Sequence, residues 1–281
     1  MLQSMKEDIE IVIADDGSKE KWDKEIVDFL EKYGFKSYTF APSKTNVGTV
    51  NNILRALTYC NGEYVKAIGA GDLLFSNNTL YNMYTVVKKD NCKCAFGNLQ
   101  AFTLNKNRIV PHPFDAAIYK KLYLKNKIKK IRKNIVLDHD YISGASMIFE
   151  RNYFRSELEK LSGIVKYAED WIQVPIVLSG EMYKYVPLNF VLYEVGTGIS
   201  TNKKGNERLR QDEEKFMSYI KSNYHDSLIN ILRKRDKLPK VLRSLVKWGM
   251  NPAMRLAFIV RRLKFAKAEA GRKQTNVDLG F

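Results

Sequence analysis

Between residues 9 and 96 the chain alternates short β-branched runs with longer amphipathic segments, and few folds accommodate that alternation. Ile9-Glu10-Ile11-Val12-Ile13-Ala14 is mostly apolar and stops at Asp15-Asp16-Gly17-Ser18, the pattern of a buried strand followed by a polar turn. Lys19 to Tyr33 predicts a helix with Trp22, Ile26, Phe29 and Leu30 on one face and Gly34 as its C-cap. Lys36 to Phe40 predicts a second strand. Asn46-Val47-Gly48 opens a helix running to about Cys60, and Glu63 to Ile68 predicts a third strand ending in Gly69-Ala70-Gly71-Asp72. Asn77 to Lys88 reads as a helix and Cys92 to Phe96 as a fourth strand. Such alternation predicts an α/β fold with a mainly parallel sheet and right-handed crossovers. Ligands of these sheets sit at the carboxyl ends of the strands, where the Asp15-Asp16 and Asp72 turns both fall.

The pattern loosens after residue 100. Pro111 to Lys133 is basic and helical or looped, Ile142 to Glu150 is small and apolar around Gly144, and Asp170 to Leu178 predicts a helix. Met182 to Val195 predicts a strand with a break at Pro187, and from about Asn206 to Ala268 the pattern stays helical. The division expected is a domain over residues 1–200 and a basic helical region over 201–281. Charge marks the same division: of a net +16, residues 201–281 carry 20 Lys or Arg against 8 Asp or Glu. A tail so basic needs an anionic partner or a solvated face. The three cysteines, Cys60, Cys92 and Cys94, are too few and too odd in number for a disulfide framework, which points to a reducing compartment. No basic-then-apolar leader and no apolar stretch of spanning length is present, so a cytoplasmic protein is expected.

Three acidic turns carry the chemistry. Asp15-Asp16 can accept hydrogen bonds from a nucleobase or ribose, although Asp-Gly-Ser is also ordinary turn chemistry. The glycines before Asp72 allow close backbone approach to a ligand, and Asp72 offers a hard oxygen to a divalent cation, or is simply a loop carboxylate. Glu169-Asp170 precedes Trp171 and an apolar helical segment, where an acidic pair also serves as cap and dipole partner. As an ordered set, strand-Asp-Asp-Gly-Ser, Asn46-x-Gly, Asn61-Gly62-Glu63-Tyr64-Val65, Gly71-Asp72 and Glu169-Asp170 resemble the inverting family 2 glycosyltransferases with the Rossmann-like GT-A fold, over about residues 4 to 200.

That resemblance implies roles position by position. Asp170 would be the general base toward the acceptor hydroxyl. Asp72 would bind Mg²⁺ or Mn²⁺. Asp15, Asp16, Asn46, Gly71 and Asn98 would line the donor, a nucleotide sugar and foremost a UDP-sugar. The acceptor would be a glycan or a polyprenyl-linked sugar, in bacterial-type surface polysaccharide synthesis. Departures stand beside the likeness. Ala70 sits where an acid is frequent, and no His occurs in Tyr193-Glu194-Val195-Gly196-Thr197-Gly198, where the family often has one. Only Met1 to Asp8 precede Ile9, so the family's usual first strand and its loop are expected to be absent, as in a truncated or mis-started reading frame or, alternatively, a degenerate or partnered enzyme, which also admits a catalytically inactive scaffold. In the tail, Lys240 to Trp248 sets Val241, Leu242, Leu245 and Val246 against Lys240, Arg243 and Lys247, as an interfacial helix does. The partner expected is an anionic membrane surface at the inner face of the cell membrane. Nucleic acid is not expected, because few aromatics interleave the basic residues and no binding motif appears.

Overall fold

The computed structural model describes residue 5 and residues 8–105, 108–196 and 203–271. β1 (Ile11–Ile13) leads to α1 (Asp23–Lys32), which starts later than its sequence pattern. The Asp15 carboxylate holds the Ser18 N–H at 2.9 Å and the Lys21 ammonium, which keeps the intervening chain in a turn. β2 (Tyr38–Phe40) pairs in parallel with β1, Ile11 opposite Tyr38. α2 (Thr49–Leu57), β3 (Tyr64–Val65), β4 (Leu73–Leu74) and α3 (Thr79–Lys89) follow. β5 (Cys94–Asn105) runs well past Phe96, and β6 (Arg108–Pro111) folds back on it with Phe102 opposite Pro111. α4 (Lys120–Leu124) and α5 (Ile128–Asp138) occupy the basic stretch. β7 (Met147–Glu150) enters α6 (Arg151–Glu159), capped by the Glu150 carboxylate, which accepts the Asn152 and Tyr153 N–H groups at 2.9 and 2.7 Å. A 3-10 turn over Glu169–Ile172 precedes α7 (Gln173–Leu178), and β8 (Lys184–Glu194) completes the strands. The chain then becomes helical: α8 (Lys203–Asn223), α9 (Ser227–Asp236), α10 (Lys240–Met250) and α11 (Pro252–Gly271).

The α/β class holds, but the expectation of a mainly parallel sheet is corrected. The principal sheet has the order β3-β7-β5-β8-β4 with β6 beside β5, and β1-β2 form a separate pair. Only β1-β2 and β5-β8 run parallel, whereas β3-β7, β5-β7, β5-β6 and β4-β8 are antiparallel. The cause is that several strands are added without a helical crossover to a parallel neighbour. β6 returns as a hairpin, and β7 is threaded in reverse between β3 and β5. Pro187 does not end its strand. It coincides with a register shift between β5 and β8, where the pairing passes from Phe96–Tyr185 to Asn98–Asn189 and no N–H is needed. β1 and β3 each keep one edge that pairs with no strand among the described residues; the Glu10 carboxylate instead accepts the backbone N–H groups of Asn61 and Gly62.

The main core lies between the sheet and the helices and includes Phe96, Phe149, Phe154, Ile172 and Ile176. α8 and α9 enter the same core through Phe216, Ile220, Ile229 and Leu232. Each such fully buried side chain contributes about 1.5–3 kcal/mol of transfer free energy. The three cysteines form no disulfide. α10 and α11 dock from one side only. Met254 is fully buried, Asn251 donates to Asp138 at 2.7 Å, Arg255 ion-pairs with Asp138, and the Arg261 guanidinium lies 4.9 Å over the Phe114 ring. Their outer side leaves Val241, Leu242, Leu245, Trp248, Leu256, Ile259, Val260 and Leu263 exposed. No helix among the described residues is long and apolar enough to cross a membrane.

Candidate active site

The first carboxylate turn is spent largely on the chain itself. Asp16 accepts the N–H groups of Val47 and Gly48 at 2.8 and 2.9 Å, which ties the end of β1 to the start of α2. The Lys21 ammonium and the Ser18 N–H hold the Asp15 carboxyl down at about 2. Gly17 lies against Thr45, so close that a Cβ would meet its carbonyl carbon at 2.7 Å. Gly48, at φ +86°, leaves space that Lys166 fills: a Cβ there would meet Lys166 Cγ at 2.2 Å and its carbonyl oxygen at 2.5 Å. The structure therefore joins Asp15, Asp16 and Asn46 into one corner beside the segment that leads to Asp170.

A second group forms where β4 meets β8. The pairing of Leu73 with Leu192 carries Glu194 alongside Asp72, whose Oδ1 accepts the Glu194 N–H at 2.9 Å. Burial, and after it the nearby Glu194 charge, raise the Asp72 carboxyl above its ordinary value against the opposing pull of that hydrogen bond and of Lys66. Gly71, at φ +98°, makes room for the second acid, since a Cβ there would lie 2.2 Å from Glu194 Oε2. Glu194 is 9% exposed. Two carboxylates over a bare glycine suit a hard divalent cation. No cluster of three or more His, Cys, Asp or Glu that could hold a metal occurs among the described residues, so diphosphate oxygens and waters would supply the other ligands.

A third group forms around Gly144. A Cβ there would lie 2.6 Å from Glu169 Oε1 and 3.5 Å from Asp170 Cβ. Burial, and then the Glu169 charge, raise the Asp170 carboxyl well above the usual range. The Gln173 side chain fixes the turn by donating to the Asp170 carbonyl at 2.7 Å while bridging the backbone of Ile142. A small cleft lined by Ala67, Gly144, Glu169, Asp170, Met147 and Phe149 lies there. The charge of Lys66, at the end of β3, is felt by both Asp72 and Glu169 and links the second group to the third. Asn98 stands on β5 at the register shift and accepts the Tyr185 hydroxyl at 2.7 Å. Among the described residues no hydrogen bond or ion pair joins the Asp15-Asp16 turn to Asp72. Sequence reasoning missed Glu194 and Lys66. For Glu194 the one available signal was an acid where a metal-assisting histidine is frequent; Lys66 gave none, because a lysine ending a strand usually points to solvent.

Of these carboxylates, Glu169 and Asp170 line the small cleft. The family model for Glycosyl transferase family 2 matches residues 1–155. Among solved structures, the chain is similar to S. aureus TarS 1-349 in complex with UDP-GlcNAc, at 14% identity and TM-score 0.51, covering 98% of this chain and 70% of that one. It is also similar to the mannosyltransferase PcManGT from Pyrobaculum calidifontis in complex with GDP-Man and Mn²⁺, at 15% identity and TM-score 0.51, covering 98% and 69%. No curated protein matches the sequence. The structural likeness bears on the fold, and the family match spans more than half of the chain: this protein belongs to glycosyl transferase family 2 and has its GT-A-type α/β fold.

Proposed function

We propose that the chain transfers a sugar, with inversion, from a nucleotide sugar to a glycan or polyprenyl-linked acceptor. The observation that carries the reading is the presence of two acidic pairs, Asp72 with Glu194 and Glu169 with Asp170, both within electrostatic reach of Lys66, in a family 2 chain. Asp170 accepts the proton of the acceptor hydroxyl. A hydroxyl is a weak nucleophile until such a base is within hydrogen-bond reach, and a base with proton affinity near the working pH serves best. Asp72 and Glu194 would hold Mg²⁺ or Mn²⁺. When bound, that cation offsets the charge growing on the departing diphosphate. Asp15, Asp16, Asn46, Gly71 and Asn98 line the donor side. Asp15 and Asp16 do so through the turn they brace, because each of their carboxylate oxygens already accepts a hydrogen bond within the chain.

The donor is read as a UDP-sugar first, and the two similar structures carry UDP-GlcNAc and GDP-Man. We assign the catalytic part to residues 1–200, with α8 and α9 completing its core, and the rest to a basic helical region. From Lys237 to Lys267 that region has nine Lys or Arg and no Asp or Glu. Together with the eight exposed apolar side chains of α10 and α11, this charge supports peripheral contact with anionic lipid at the cytoplasmic face and a lipid-linked acceptor, rather than nucleic acid. A second reading, an inactive scaffold of a polysaccharide-assembly complex, is favoured by Asp16, both of whose oxygens are engaged within the chain. Incubation with UDP- and GDP-sugars, Mn²⁺ and a panel of acceptors separates the two. Release of nucleoside diphosphate together with a glycosylated product supports the enzyme. Binding without release supports the scaffold, and neither binding nor release overturns both.

A further inference from the structure

Lys66 has no place in the mechanism above, and its surroundings are unusual. Its ammonium donates to the carbonyl of Ala145 at 2.6 Å and to that of Ala67, and no carboxylate among the described residues forms an ion pair with it. A lysine withdrawn from water is ordinarily paired with an acid. Here desolvation draws the ammonium down to about 8, while Asp72 and Glu169 act against that from a distance. The Gly144-Ala145 step carries both sides of the arrangement. Ala145 offers its carbonyl to Lys66, and Gly144 is bare against Glu169 Oε1 and Asp170 Cβ.

We propose that Lys66 is a positioning residue for the base: its ammonium fixes a negative charge on Glu169, and that charge makes Asp170 the carboxylate that takes up the acceptor proton. The inference rests on reading Asp170 as the base. Two adjacent half-buried carboxylates without a cation would divide one proton between them. With Lys66 on the Glu169 side, the anion is held at Glu169 and the proton-accepting role falls to Asp170. The other titratable groups facing Asp170 are Tyr141 and Tyr183, and burial pushes both phenols up, so they stay neutral through the working range. The charge of Asp72 also stabilises that of Lys66.

The two carboxyls respond differently to the two substitutions. Without the cation, in Lys66→Met, the shared proton settles on Glu169, so Glu169 titrates higher and Asp170 lower. Without the anion, in Glu169→Gln, Asp170 also titrates lower. The ¹³C carboxyl titrations, measured on the full chain without ligand, should show Asp170 down by about one pH unit in both variants and Glu169 up by a similar amount in Lys66→Met, the size of effect a nearby charge has on a carboxyl. Lys66→Arg should stay near the wild-type profile. If Lys66→Met fails to fold by circular dichroism, Glu169→Gln and Lys66→Arg still decide. An Asp170 titration that stays in place or rises in either variant, or a Glu169 titration unmoved in Lys66→Met, overturns the proposal. The predicted titration shifts in a chain that transfers no sugar would leave the charge arrangement standing and remove the base it serves.

Discussion

Asp72 and Glu194 lie 122 positions apart in the chain and meet only because Leu73 pairs with Leu192. As the proposed metal ligands they would act as a two-carboxylate clamp, and that role makes a specific prediction. Mn²⁺ binding in the presence of a nucleoside diphosphate, read by loss of the free-ion electron paramagnetic resonance signal, should weaken about tenfold or more in Asp72→Asn and in Glu194→Gln, since the loss of one carboxylate from so sparse a set removes a large share of the protein's ligands. Equal binding by both variants and the wild type would remove the metal role. Asp72 and Asp170 could be singled out as candidates because acids at fixed order around strand ends form a pattern in one dimension. Glu194 and Lys66 were not, because their roles come from strand register and from the direction of a side chain. Asp16 was legible as a residue, but the structure shows its oxygens on Val47 and Gly48, an engagement that the turn sequence did not announce.

At the level of elements, the alternation of strands and helices through α3 was readable from periodicity, and the boundaries shifted where side chains compete with the backbone, as Asp15 does ahead of α1. Strand direction was not readable beyond that point. A parallel sheet announces itself through helical crossovers, whereas β5, β7 and β8 are separated by mixed connections whose returns leave no periodic mark. The corner joining β1, α2 and the Lys166 segment depends on Gly48, whose positive φ and missing Cβ admit Lys166. Gly48→Ala should lower stability by about 1–3 kcal/mol through backbone strain and the clash with Lys166. Urea denaturation reads this directly. A variant as stable as the wild type would mean that the corner is loosely packed and does not set the approach to Asp170.

Across the whole molecule, α11 packs inward through Met254, Arg255 and Arg261, and with α10 turns eight large apolar side chains outward. Each Lys or Arg near an anionic bilayer contributes about 1 kcal/mol, which salt screens, and apolar burial adds a component that salt leaves in place. Co-sedimentation should show binding to anionic vesicles and weaker binding to neutral ones, with 0.5 M salt, on the order of a 4 Å Debye length, narrowing the gap. Replacing Leu242, Leu245, Leu256 and Leu263 by Ser, all exposed, should release the protein without unfolding it; retention on vesicles would assign the hairpin a purely structural role. The proposed function turns on one carboxylate, Asp170, taking the proton of the acceptor hydroxyl. The sharpest test is nucleoside diphosphate release in the presence of acceptor by the wild type and by Asp170→Asn, with donor affinity measured in parallel. A loss of turnover of about 10²-fold or more at nearly unchanged donor affinity is expected, as for a lost general base. Near-normal turnover by Asp170→Asn would contradict it.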